Sequence, residues 1–119
     1  MFSDPQSVTY ATVAKSLPTI GRDGTSSEYR LNDSGVVYDF TLSHQFKPAR
    51  TRAVARLQRD SFVANPVTPT QNVLASMTST LTMDFPTAGL TPADAQSLAT
   101  ALVTWATPSN LLRLANGET

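Results

Sequence analysis

Hydrophobic and polar residues alternate along three long stretches of the chain. The stretches are "GVVYDFTLSHQ" at 35–45, "ARTRAVARLQRD" at 49–60 and "NVLASMTSTLTMDF" at 72–85. Because successive side chains of a β-strand point to opposite faces, each stretch predicts a strand with one mainly apolar face and one mainly polar face. The apolar row of the first stretch contains Val36, Tyr38, Phe40 and Leu42. Three such strands in succession predict an antiparallel meander that is covered on one side only.

Before these strands, the sequence predicts shorter strands separated by turns. "SVTYATV" at 7–13 carries β-branched and aromatic residues, and "SSEYRL" at 26–31 follows the turn signal "GRDG". "KSLPTI" at 15–20 is interrupted by Pro18, whose nitrogen cannot donate a hydrogen bond to a neighbouring strand. We therefore expect this segment at a sheet edge, or with a break at the proline.

After "FPTAG" the period of the apolar residues changes from two to about 3.6, which is typical of helices. Thr91 is a predicted N-cap, with Pro92 at the first helical position and Asp94 placed for a capping box. A second helix is predicted from the cap Thr107 to a stop near Gly117. We expect the apolar stripes of the two helices to lie inside; they contain Leu98, Ala101, Leu102 and Trp105, then Leu111, Leu112 and Leu114. Strands followed by helices indicate the α+β class.

The apolar sheet face contains small side chains that cannot fill much space in one chain. They are Ala53, Ala55, Ala75 and Ser79. Two short helices at one end of the chain must cover this broad face, and small residues allow helix backbones to approach closely. One interpretation is a dimer in which the helices of each subunit lie across the sheet of the other.

Composition limits the functional classes. At 119 residues the chain predicts one domain. The nine basic and nine acidic residues cancel, so net charge indicates no partner. The absence of cysteine excludes disulfides and cysteine nucleophiles. Neither a signal peptide nor a membrane span is recognisable, and we expect a soluble protein made in a cytoplasm. His44 is the only histidine and has no recognisable Ser and Asp constellation around it in sequence, so no enzyme is expected.

The charge distribution is uneven, because five of the nine cations lie close together. Between Phe40 and Met83 the only acid is Asp60. Arginines in exposed strands are often solvated or paired across strands, and Asp39 could pair with one of them. They could instead bind an anion such as RNA, since guanidinium groups suit phosphate oxygens. The five cations are Lys47, Arg50, Arg52, Arg56 and Arg59.

The chain resembles the coat proteins of the single-stranded RNA bacteriophages, the levivirus-type family. The resemblance rests on length and element order: an N-terminal hairpin within 1–24, an antiparallel sheet within 25–86, and two helices within 91–116, with "LTMDFP" and "TAGLTPAD" at the join between strand and helix. Thr78 and Thr80 stand where some members carry a Tyr and Asn pair that contacts an RNA hairpin.

This resemblance implies an interlocked homodimer with one continuous sheet, assembled into an icosahedral shell around single-stranded viral RNA. A dimer of this family can also bind an RNA stem-loop and repress translation. The implied dimer-interface residues are Leu98, Leu102, Trp105 and Leu111, and the implied loop between dimers contains Asn65, Pro66, Val67, Thr68 and Pro69. The implied RNA-binding residues are Thr41, Ser43, Gln45, Arg50, Arg52, Arg56, Gln58, Thr78 and Thr80.

The expected location is the virion, after synthesis in the bacterial host cytoplasm, with no cofactor, metal or membrane partner. The alternative is a small cellular RNA-binding or protein-interaction module that uses the same sheet face without forming a shell.

Overall fold

The computed structural model describes residues 2–64, 66–68 and 70–119. In these residues, strands precede helices, which confirms the α+β class. The strands are β1 (Gln6–Tyr10), β2 (Val13–Leu17), β3 (Thr19–Arg22), β4 (Ser26–Asp33), β5 (Val36–Phe46), β6 (Arg50–Ala64) and β7 (Asn72–Pro86). The helices are α1 (Pro92–Trp105) and α2 (Pro108–Ala115).

The strands form a hairpin and a meander. β1 pairs antiparallel with β2, and a second sheet has the order β3-β4-β5-β6-β7, in which every neighbour in space is also a neighbour in sequence. The pairing of β4 with β5 is antiparallel and places Tyr29 opposite Phe40 and Arg30 opposite Asp39. The predicted meander is therefore confirmed.

The N-terminal hairpin contains a turn that the sequence did not signal. Ala11 and Thr12 adopt φ angles of 50° and 68°, so the stretch "SVTYATV" is divided between two strands. Two-residue hairpin turns with positive φ favour glycine or asparagine, and neither is present here. The break at Pro18 is confirmed, because this residue lies between β2 and β3 and its carbonyl accepts a hydrogen bond from the Arg30 amide at 3.0 Å.

The chain divides into two compact units. The first contains the residues up to Gln45 and Ala53–Thr82. In this unit, Leu17 from the hairpin and Tyr29 from β4 are fully buried, and Tyr38 from β5 is almost fully buried. The hairpin thus covers the apolar face of β4 and β5. The side chains packed against this core are Val8, Leu31, Val36, Phe40 and Leu42.

An arginine extends this core along β6. The guanidinium carbon of Arg59 lies 4.7 Å from the ring centre of Tyr10 and 5.9 Å from that of Tyr38. Arg59 also donates a hydrogen bond to the hydroxyl of Ser61 at 3.3 Å. Cation–π contacts of this kind attract a guanidinium to an aromatic face. Arg59 therefore contacts both the hairpin and the sheet on the covered face.

The second unit contains Phe46–Arg52 and Met83–Thr119. The predicted helix caps are confirmed: Thr91 and Asp94 form a capping box, Thr107 caps α2, and Gly117 after α2 has a φ of 87°. No residue of either helix is buried. Neither helix in the described part of the chain is long and apolar enough to cross a membrane.

The expectation that the apolar stripes of the helices lie inside is wrong for the single chain. Leu98 is 76% exposed and Trp105 is 53% exposed. The described residues of this unit provide no layer that covers these side chains. Ala95 and Ala99 are half-buried. Other apolar side chains of the helices are exposed, among them Ala101, Leu102, Val103, Leu111, Leu112 and Leu114.

Candidate nucleic-acid interface

The sheet of the first unit has a polar face opposite the hairpin-covered face. Side-chain alternation places Glu28, Arg30 and Asp39 on this face, because Tyr29 and Tyr38 point into the core. Arg30 donates to Glu28 at 3.0 Å and to Asp39 at 3.2 Å. The predicted pairing of Asp39 with an arginine is thus confirmed, and its partner is Arg30 of β4.

Glu28 and Asp39 form a carboxyl pair across β4 and β5. A hydrogen bond to Asp39 raises the pKa of Glu28, and partial burial raises this pKa further. No described group donates to Oδ1 of Asp39, which is buried. Since one arginine faces two carboxyl groups, this part of the polar face offers no free positive charge.

On β6 and β7 the polar face contains a chain of hydrogen bonds. Arg56 donates to the side chain of Gln58 at 2.9 Å, and Gln58 donates to Oδ1 of Asp60 at 3.0 Å. The hydroxyl of Ser76 on β7 donates to the same oxygen at 2.5 Å. The hydrogen bonds from Ser76 and Gln58 lower the pKa of Asp60, and the charges of Arg30 and Arg56 act in the same direction. Asp60 is therefore ionised at neutral pH.

Arg56 differs from the salt-bridged arginines Arg30, Arg50 and Arg52, because no carboxylate of the described residues contacts it. It forms no salt bridge within the described ranges, its side chain is exposed, and its hydrogen bond goes to a neutral amide. Thr78 and Thr80 on β7 are also exposed, whereas Thr41 and Ser43 on β5 are partly buried. Of the predicted RNA-binding residues in this unit, the structure brings Arg56 and Gln58 into direct contact; Gln45 is exposed at the end of the unit.

In the second unit, Arg50 and Arg52 share one counterion. Arg50 donates to Asp84 at 3.0 Å, and Arg52 donates to the same carboxylate at 3.5 Å. The hydrogen bond from Arg50 lowers the pKa of Asp84. The sequence places Asp84 in the polar row of β7 but gives no sign of this pairing, because 32 residues separate Arg52 from Asp84 along the chain.

The predicted loop between dimers is only partly described. Asn65 and Pro69 lie outside the described residues. Pro66, Val67 and Thr68 are exposed. Elsewhere, no three His, Asp or Glu side chains in the described ranges are grouped as metal ligands would be.

The family of the chain follows from comparison with known proteins. The model of the family "Phage phiCb5, coat protein" matches residues 3–84, which include the hairpin and the whole meander up to Asp84. This chain belongs to the phage phiCb5 coat protein family. Coat proteins are structural proteins, so the chain is not an enzyme. No curated protein sequence matches it.

Solved structures of levi-like phage particles share the fold. The subunit of the virus-like particle of bacteriophage AVE019 has a TM-score of 0.75 and 11% identity, with 100% of this chain and 98% of that chain covered. The subunit from Beihai levi-like virus 21 has a TM-score of 0.72 and 13% identity, with coverage of 94% and 91%. The subunit from bacteriophage EMS014 has a TM-score of 0.61 and 23% identity, with coverage of 86% and 71%.

Proposed function

We propose that this coat protein dimerises, assembles into an icosahedral shell, and packages single-stranded RNA against the polar face of its sheet. Similar subunits in solved structures come from virus-like particles, which supports assembly. The observation that carries the RNA part is the asymmetry of the sheet. A hairpin covers one face, whereas the other exposes hydroxyl groups and an arginine without a salt bridge.

The dimer part of the proposal rests on the helices. Soluble monomers rarely expose contiguous apolar patches larger than a few hundred Å². Here both helices expose their leucines and the only tryptophan of the chain. In the proposed dimer, a second copy covers these side chains and removes them from water. The interface residues are Leu98, Leu102, Trp105 and Leu111.

We propose that the arginines contribute unequally to the affinity for RNA. A phosphate binds Arg56 without displacing a carboxylate. At Arg50 and Arg52 it competes with Asp84, so we assign these two a smaller share of the affinity. Thr78 and Thr80 contribute hydroxyl groups, which bond phosphate, ribose or base edges. We assign Thr41, Ser43, Gln45 and Gln58 supporting contacts, and a stem-loop that represses translation is one RNA that this face would bind.

Electron microscopy of the purified chain tests the proposal. We expect particles tens of nanometres across whose absorbance spectrum shows bound nucleic acid. Particles without nucleic acid would support the proposed assembly and contradict the proposed RNA packaging. A small protein that binds RNA without particles would favour a cellular RNA-binding module, and a monomer at micromolar concentration would contradict assembly altogether.

A further inference from the structure

Two large apolar side chains lie at one end of the polar face, next to the loop between β6 and β7. Phe62 is 64% exposed and Leu74 is 60% exposed. Ser61 is buried and bonded to Arg59 on the covered face, so alternation puts Phe62 on the polar face. Leu74 precedes Ser76 by two residues and therefore shares its face.

The strand register makes the two side chains cross-strand neighbours. Asp60 and Ser76 contact each other across β6 and β7 at 2.5 Å. The Thr87 amide donates to the Ala49 carbonyl at 3.0 Å, in the same antiparallel register. This register places Phe62 opposite Leu74, because each lies two residues nearer the loop than Asp60 and Ser76. We call Phe62 and Leu74 the apolar pair. It is exposed on a face whose other side chains are mostly charged or carry hydroxyl and amide groups.

A hydrogen-bond acceptor stands beside the apolar pair. Asp60 lies about 7 Å from Phe62 along the strand. Its Oδ1 accepts from Gln58 and Ser76, whereas its Oδ2 accepts from no described residue. Because Asp60 is ionised, a phosphate is repelled here, while an amino group is attracted. Arg56 lies about 20 Å from Phe62 along β6, which suits the phosphate of a different nucleotide.

We propose that the apolar pair and Asp60 form a subsite for one unpaired RNA base. The face of the base stacks on Phe62 and contacts Leu74, and Oδ2 of Asp60 accepts a hydrogen bond from an exocyclic amino group. Aromatic side chains provide such stacking surfaces for single-stranded RNA. Cytosine carries an amino group where uracil has an oxygen, so the subsite prefers cytosine among the pyrimidines. This inference rests on the proposed RNA-binding function.

Binding of oligocytidylate and oligouridylate of equal length tests the subsite. The full chain is freed of nucleic acid and titrated by fluorescence anisotropy, at protein concentrations too low for particles to form. We expect tighter binding of oligocytidylate. F62A should weaken its binding about tenfold, the effect of one lost stacking contact, and should leave the salt dependence unchanged. F62Y, which keeps an aromatic ring, should bind as the wild type does.

Two further variants separate the subsite from general RNA binding. D60N should bind both oligonucleotides more tightly, because a negative charge is removed, yet should lower the preference for oligocytidylate by about threefold. R56S should weaken binding of both and reduce the slope of log affinity against log salt by about 0.7, as expected for one lost phosphate contact.

The possible failures are distinguishable. If R56S behaves as expected and F62A binds like the wild type, the subsite is wrong and the proposed function stands. If F62A instead assembles poorly while its RNA affinity is unchanged, the apolar pair is a contact between subunits, which also overturns the subsite. If the wild type binds neither oligonucleotide, the proposed RNA-binding function fails as well.

Discussion

The four arginines of β6 have three different environments, although the sequence presents them as one basic stretch. Arg59 lies against two tyrosine rings on the covered face. Arg52 shares a carboxylate with a neighbouring arginine, and Arg56 has only a neutral partner. A salt-bridged arginine must give up its partner before it can neutralise a phosphate. Charge counting along the chain therefore overestimates the number of cations available to RNA.

Among single residues, Glu28 has a raised pKa, which predicts that the stability of the folded protein depends on pH. The folded protein holds the Glu28 proton more tightly than the unfolded chain, because the hydrogen bond to Asp39 and partial burial both favour the protonated form of Glu28. This stabilisation is fully present below the ordinary pKa of 4.5 and is lost as the pH rises through the raised value. E28Q, which carries an amide in place of the protonated acid, should not show this loss. The melting temperature of the wild type relative to E28Q should fall as the pH rises.

The contribution of Asp60 to stability depends on pH in the opposite direction to that of Glu28. Its pKa is lowered by Ser76 and Gln58, so its contribution is present above the ordinary value and is lost as the pH falls through the lowered one. D60N should therefore reduce the destabilisation of the protein in acid. A difference in melting temperature between the wild type and E28Q that stays constant at every pH would contradict the raised pKa of Glu28.

Among the elements, the N-terminal hairpin depends on one leucine for its packing against the sheet. Leu17 is fully buried between the hairpin and the sheet. L17A should lower the free energy of unfolding by about 2–5 kcal/mol, since truncation of a buried leucine removes apolar contacts and leaves a cavity. Urea unfolding at one protein concentration measures the change. Val13 of the same strand is 52% exposed, and V13A is the matched control with a small effect. Equal midpoints for L17A and V13A would contradict the placement of the hairpin.

The elements that the sequence predicts well are those with local signals. Alternation locates β5, β6 and β7, and the threonine and proline pairs locate both helix starts, because caps and strand faces depend on residues a few positions apart. The turn at Ala11 and Thr12 is missed because it lacks the usual turn residues. The pairing of Arg52 with Asp84 and of Asp60 with Ser76 depends on the register between strands. Alternation gives the face of a side chain but not its neighbour on the next strand.

For the whole molecule, the single chain leaves its apolar residues unevenly covered. The core of the first unit contains one leucine and two tyrosines that are buried, while the helices of the second unit bury nothing. Hydrophobic stabilisation scales with the apolar area removed from water, at about 25 cal/mol per Å². The proposed dimer would remove the exposed helix surfaces from water, so most of the stabilisation of the helices would come from the partner.

Trp105 allows a direct test of this dependence, because it is the only tryptophan in the chain. It is half-exposed in the single chain, and a partner subunit that covers it should shift its fluorescence to shorter wavelength as protein concentration rises. W105A should weaken the dimer by on the order of 3–5 kcal/mol, the cost of deleting a buried aromatic ring. Sedimentation equilibrium measures the change in dissociation constant. Gln96 precedes Trp105 by about two and a half turns and therefore lies on the opposite side of α1, so Q96A should dimerise normally. A W105A dimer of unchanged affinity, with a wild-type emission that does not depend on concentration, would place the dimer interface away from α1.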